Sequence, residues 1–197
     1  MALKFHYNKT TIQEFKRQLA IREKALPILK NKETALRLKV EKLMRELDEV
    51  EKQFNKLDQK MGIFNAFWNE FPEILRIDDV EIFQKRVIGV RVPEIGPVKF
   101  KIADVSWWNL PTWIPSGIEL MQEVIKIDLK KDILQKQIKL LDLARKKTTQ
   151  KVNLYEKVQI PDYESAILKI KRFLEDKENI SKAAQKIMKN RKVRRAA

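Results

Sequence analysis

The chain has 197 residues, 35% charged and 44% apolar, with a net charge of +15 and only 4 glycines. That composition excludes a disordered tail and a collagen-like repeat, and it suits a helix-rich protein with something to bury. No cysteine is present, so disulfides and thiolate chemistry are excluded, and the single histidine, His6, leaves no histidine cluster for zinc.

The first arm carries a heptad pattern. Apolar residues fall at Leu36, Val40, Leu43, Leu47, Val50, Phe54, Leu57, Met61 and Phe64, in unbroken alternating steps of four and three. Run backwards, the phase reaches Leu29, Leu26, Leu19, Phe15 and Ile12, with Glu33 and Arg22 as charged interruptions. A seam this regular keeps one helix face turned to a partner helix, as in a coiled coil. Thr11 and Glu14 predict a capping box at its start. Pro27 predicts a local bend, and Pro72 a stop. Residues 1–71 are expected to form this arm.

The middle segment, residues 72–115, changes character. Ile82, Ile88, Val90 and Val92 alternate with Phe83, Lys85 and Arg91, and Val98, Phe100 and Ile102 alternate with Lys99 and Lys101. Alternation of this kind predicts a β-hairpin over about residues 80–103, with Pro93-Glu94-Ile95-Gly96-Pro97 as its turn. Gly89 is expected to mark a bulge or a close backbone approach. Phe64, Phe67, Trp68, Phe71, Trp107, Trp108 and Trp113 flank the hairpin and predict a small aromatic core beneath it.

Residues 116–190 are expected to form the second arm, with a capping box at Ser116 and Glu119. Its seam reads Leu120, Val124, Ile127, Leu134, Ile138, Leu141, Thr148, Val152 and Tyr155, with Lys131 and Arg145 as polar entries, and its phase shifts near Pro161 to Ile160, Tyr163, Ile167, Ile170, Leu174 and Met188. A basic tail, residues 191–197, follows. Two arms of similar length around a short middle predict a mainly α fold: a long antiparallel two-helix coiled coil with a small hairpin. On this reading the hairpin is an appendage, and excising Phe83–Lys101 leaves the helix pair folded.

Certain residues carry a family resemblance. Arg86-Val87-Ile88-Gly89-Val90-Arg91-Val92-Pro93 resembles the hairpin signature of the D subunits of V/A-type rotary ATPases. Thr148-Thr149-Gln150-Lys151-Val152-Asn153-Leu154, with Ile160-Pro161 after it, is similar to their second-arm signature. Leu29-Lys30-Asn31-Lys32 with Leu36 is similar to a first-arm pattern. Arg86 stands where the family usually has Asn, and Gln150-Lys151 where it usually has an arginine pair.

The resemblance implies a rotor shaft, with no catalytic, cofactor-binding or metal-binding residue of its own. Its implied partners are the small F subunit, the catalytic A and B subunits around the shaft, and the stalk subunit that caps the membrane ring. The implied location is cytoplasmic and peripheral to the membrane, with no membrane insertion and no nucleic acid partner. Partner contacts are expected at Arg86, Val87, Ile88, Gly89, Val90, Arg91 and Pro93. The seam residues Leu36, Val40, Leu43, Leu47, Val50, Phe54, Leu57, Leu134, Ile138, Leu141 and Val152 are expected to hold the shaft together. A basic coiled coil that binds nucleic acid, using the tail at Lys189, Arg191, Lys192, Arg194 and Arg195, or that acts as a scaffold, is the alternative. An enzyme is disfavoured, because the sequence holds no Gly-rich phosphate cradle and no nucleophile–histidine–acid set.

Overall fold

The computed structural model describes residues 5–63, 71–104 and 110–196. Phe64, Phe67, Trp68, Trp107 and Trp108 of the expected aromatic core lie outside the described residues. In chain order the elements are helix α1 (Lys9–Ile63), strands β1 (Leu75–Val87) and β2 (Val90–Ile102), helix α2 (Ile114–Leu154), a π-helical turn (Tyr155–Gln159) and helix α3 (Ile160–Ala196). The fold is mainly α, with long helices at both ends and one antiparallel hairpin between them.

Both helix starts differ from expectation. The Thr11 amide donates to Asn8 Oδ1 at 2.7 Å, so Asn8 caps α1 and Thr11 already lies inside it. Helix α2 begins at Ile114, which puts Pro115 in the first turn and Ser116 within the helix. Proline costs little there, because first-turn amides have no intrahelical acceptor. Helix α1 remains one assigned helix through Pro27.

Contacts divide the chain into two units, one of residues 1–31 with 148–197 and one of residues 32–147. In the first unit the helices run antiparallel. Tyr7 meets Phe173, with ring centroids 4.6 Å apart, and Phe15 meets Tyr163 at 5.3 Å. Lys30 Nζ lies 2.7 Å from Glu156 Oε1. Val152, Ala166, Ile167 and Ile170 are buried, and Thr148 is the buried polar residue among those described.

In the second unit one cluster joins Leu36, Val40, Leu43 and Val50 of α1 to Leu134 and Leu141 of α2, with Leu47, Ile127 and Ile138 packed against it. Leu57 is buried as well, and Phe54 is half-buried with Lys131 Nζ 4.8 Å from its ring centroid. Val92 of β2 belongs to the same cluster, with Val87, Ile88 and Val90 packed on it. The turn end of the hairpin is therefore part of the core of the helix pair. That argues against the expectation that excising the hairpin leaves the helices intact. A second cluster of Ile74, Ile114 and Ile118, with Phe71, Leu75, Leu110 and Trp113, seats the hairpin base on the start of α2.

The hairpin turn is Ile88-Gly89, not Pro93–Pro97. Val87 pairs with Val90 across it, and the two turn residues have φ of 52° and 79°. Two-residue hairpin turns of type I′ need positive φ at both positions, because only that twist matches the strands. Gly89 supplies it freely. Ile88 pays a steric cost of about 1–2 kcal/mol for a left-handed conformation, offset by its packing on the core.

Pro93–Pro97 lies within β2 instead. A two-residue turn closes on a hydrogen-bonded pair, so Pro93, opposite Gln84, falls on a non-hydrogen-bonded position. Its missing N–H breaks no ladder bond, and its outward carbonyl accepts a hydrogen bond from Gln137 Nε2. The register then slips between Val80 and Ile82, whose partners are Val98 and Ile95. The extra residue is a bulge at Gly96-Pro97, where strand prolines are tolerated. The close approach expected at Gly89 is found at Gly96. A Cβ there would lie 2.5 Å from Phe83 Cε2 and 3.0 Å from the Glu81 carbonyl oxygen.

Ion pairs decorate the helix surface, and one has a measurable pH signature. Side-chain hydrogen bonds from Lys146 and Arg145 hold the Asp142 carboxyl below its ordinary value of 3.8. A depressed folded value contributes stability above the unfolded pKa, and that contribution is lost as pH falls through the folded value. Asp142→Asn should therefore flatten the acid limb of a stability–pH curve. At neutral pH it should cost under about 1 kcal/mol, the usual range for exposed pairs. Urea titrations from pH 2 to 7 check this, and a parent-like acid limb in the variant would refute the assignment.

Candidate partner-docking surfaces

Among the described residues no group of three or more His, Cys, Asp or Glu side chains is placed to hold a metal ion. The candidate sites are surfaces, and the hairpin is the first. Its seven expected contact residues divide by strand alternation. Val87 and Val90 pair on the face that packs against the helices, next to buried Val92, and Ile88 packs there too. Arg86 and Arg91 pair on the opposite face and are exposed. Gly89 is exposed at the turn, with Lys32 Nζ 3.6 Å from where its Cβ would stand. Pro93 is half-buried. The seven residues thus form two groups, one turned to the chain's own core and one to solvent.

Half of the charged residues on the hairpin strands are in ion pairs. Lys99 Nζ lies 3.0 Å from Glu81 Oε1 and 4.0 Å from Asp79 Oδ2. The hydrogen bond to Glu81, reinforced by the charges of Glu81 and Asp79, raises the Lys99 pKa above its ordinary value. Lys85 Nζ lies 2.9 Å from Glu94 Oε1. Ile77, Ile82, Phe83 and Ile102 are large apolar residues left exposed on the strands.

The Thr148–Leu154 segment ends α2. Thr148 and Val152, four residues apart, are buried on one face. Gln150, Lys151, Asn153 and Leu154 are exposed, so the same segment offers a solvent face.

The π turn follows at once, and Arg22 packs against it. Arg22 Nε donates to Gln159 Oε1 at 2.6 Å, and its Cζ lies 4.6 Å from the Tyr163 ring centroid and 5.9 Å from that of Tyr155. Arg22 Nη1 also donates to Gln18 Oε1 at 2.8 Å. A seam arginine that lies over aromatic rings covers part of its planar face, and here its Nε and Nη1 donors are used. The heptad marks Arg22 as an interruption but gives no sign of these partners. The phase shift near Pro161 does mark the turn. Ile160 N–H donates to the Tyr155 carbonyl five residues back, and Pro161, which has no N–H, comes next.

Comparison with known proteins agrees with this architecture. The family of ATP synthase D subunits matches residues 11–190. The V-type ATP synthase D subunit of Borreliella burgdorferi is 27% identical over 190 residues, covering 95% of this chain and 94% of that protein. That of Chlamydia muridarum is 28% identical over 202 residues, covering 98% of each. A match spanning both helical arms and the hairpin is a match to the whole architecture, and the chain belongs to the ATP synthase D-subunit family, the D subunits of V/A-type rotary ATPases.

Proposed function

We propose that the chain is the central rotor shaft of a V/A-type ATPase or ATP synthase, coupling ATP turnover in the A and B subunits to H⁺ or Na⁺ transport through the membrane ring. The observation that carries this reading is the helix pair itself. A heptad seam sustained along α1 and buried against α2 gives the bending and torsional stiffness that torque transmission requires. The chain is 35% charged, and a solvated, charged exterior suits a part that must not settle into one rotary position. The seam set Leu36, Val40, Leu43, Leu47, Val50, Phe54, Leu57, Leu134, Ile138, Leu141 and Val152 is proposed to supply that stiffness.

The protein is proposed to be non-catalytic, because its sequence has no glycine-rich loop to cradle phosphates. Its proposed partners are the F subunit, the A and B subunits, and the stalk component that caps the ring. Among the described residues no helix is long and apolar enough to cross a membrane, which fits a peripheral place in the complex.

The test is reconstitution. The purified chain should hydrolyse no ATP. Assembled with the A, B and F subunits of the same source and tagged with a bead, it should turn in one direction when ATP is added. A bead that stays still while the complex hydrolyses ATP would sink the shaft role. A chain that ignores those subunits and binds tRNA in a steeply salt-dependent way would favour the basic nucleic-acid-binding alternative.

A further inference from the structure

We propose that the solvent face at the hairpin's turn end is a clamp for a carboxylate-bearing segment of a partner protein, gripped between Arg86 and Arg91. The inference rests on the stalk reading and names the chemistry of a contact that this reading leaves open.

The strand register carries the argument. Arg86 and Arg91 are direct cross-strand partners. They occupy a non-hydrogen-bonded pair, the closer of the two antiparallel spacings, with Cβ atoms about 4.5–5.5 Å apart. Like charges directly opposite are unfavourable in the isolated chain. No ion pair within the described residues relieves them. The two acids on the turn side of the bulge, Glu81 and Glu94, are taken by Lys99 and Lys85. The base of the hairpin also opposes Arg76 to Lys101, with Asp78 and Asp104 near in sequence, whereas the acid nearest to Arg91 in sequence, Glu94, is already paired with Lys85.

The clamp is preorganised. Val87, Val90 and Val92 anchor the opposite face in the helix core, and the two-residue turn fixes the strand twist. Two arginines on directly opposed positions of a fixed backbone can present their guanidinium groups together to the two oxygens of a carboxylate.

The occupant is a protein segment and not a nucleic acid because the same face turns apolar two pleats further on. Alternation puts Gln84 and Ile82 on the face of Arg86, and Pro93 and Ile95 on the face of Arg91. Ile82 is 55% exposed. At about 3.3 Å per residue it lies roughly 13 Å from Arg86 along the strand. A phosphate backbone uses the arginines and leaves Ile82 bare. A segment with an acid and, about 13 Å away, an apolar side chain covers both.

The experiment uses the full chain assembled with the A, B and F subunits of its own source. A photo-crosslinking p-benzoylphenylalanine replaces exposed Gln84, between the arginines and Ile82. The expected result is a crosslink to one of these proteins, at a peptide containing Asp or Glu next to an apolar residue. The double variant Arg86→Gln, Arg91→Gln should weaken binding of that protein at least tenfold at moderate salt. The isolated double variant should melt no lower than the parent, since removing a like-charge pair relieves repulsion. Arg86→Glu with Arg91→Glu should be rescued by Lys in place of the partner's acid. A complex that assembles normally but gives no crosslink, a crosslink to nucleic acid or to a peptide without carboxylates, or unchanged affinity in the double variant each overturns the clamp and leaves the stalk reading standing. Failure of the parent chain to join the A, B and F subunits overturns both.

Discussion

Leu141→Asp should abolish cooperative unfolding of the helix pair, whereas Leu140→Asp, one residue away, should be nearly silent. Leu141 is fully buried in the cluster formed by α1, α2 and the hairpin tip, while Leu140 is 40% exposed. Emptying a packed leucine site costs about 2–5 kcal/mol. Placing a carboxylate there adds the penalty of a buried, unpaired charge. The sum reaches at least about 5 kcal/mol, comparable to the whole stability of many domains. At Leu140 the carboxylate stays in water and the change should fall within about 0.5–1 kcal/mol. Circular dichroism during heating and urea titration separates the two. A Leu141→Asp protein that melts within a few degrees of the parent would mean that the seam is not where stability resides.

The second large effect concerns the hairpin. Replacing residues 83–101 by a short linker should destabilise the helix pair by about 5 kcal/mol, counting Val92 as a full buried side chain and Val87, Ile88 and Val90 as half. A milder version keeps the hairpin and changes only Val92→Ala, with an expected cost of about 2 kcal/mol. The surface control Ile82→Ser should cost little, since that side chain is mostly in water. The discriminating measurement is amide exchange in α1 near Leu36 and Val40. Exchange there should quicken on excision, and unchanged protection would show that the helices do not depend on the strands.

How much of this is legible in the sequence depends on which force decides each feature. The seam of α1 is legible because one simple rule, burial every three or four residues, governs it, and Leu36, Val40, Leu43, Val50 and Leu57 are buried. The hairpin is legible as a pair of strands, but local signals misplace its turn. Pro93, Gly96 and Pro97 are strong turn signals. They are absorbed by a non-hydrogen-bonded position and a bulge, which depend on register and not on local preference. The true turn uses Ile88, a β-branched residue at positive φ that local preference argues against. Tertiary packing outweighs that preference.

The docking of the hairpin on the helices does leave a sequence signal, separate from the heptad. Beside the α2 seam runs a second apolar row, Ile118, Met121, Ile125, Leu129 and Ile133, whose ends, Ile118 and Ile133, are buried. Met121 and Ile125 line a hollow with Phe71, Pro72 and Leu75. A helix with one partner needs one stripe, and a helix with two needs a wider one. Of the candidate docking face, the residues are visible in the sequence but the opposition of Arg86 to Arg91 is not. It follows from a turn two residues long, and moving the turn to Pro93–Pro97 scrambles every cross-strand pair.

The π turn has a consequence for the ancestry of the second arm. Seam positions advance by three or four residues until Tyr155, then by five to Ile160, then by three and four again. That is the signature of a single inserted residue. In an ordinary helix such an insertion swings everything beyond it by about 100° and turns the downstream seam away from its partner. Here the wider turn takes up the extra residue within Tyr155–Gln159, and Tyr163, Ala166, Ile167 and Ile170 still face α1. The arm therefore has a joint at which its length can change by one residue without a compensating change elsewhere. It lies next to a proline that could not have completed the helical ladder in any case.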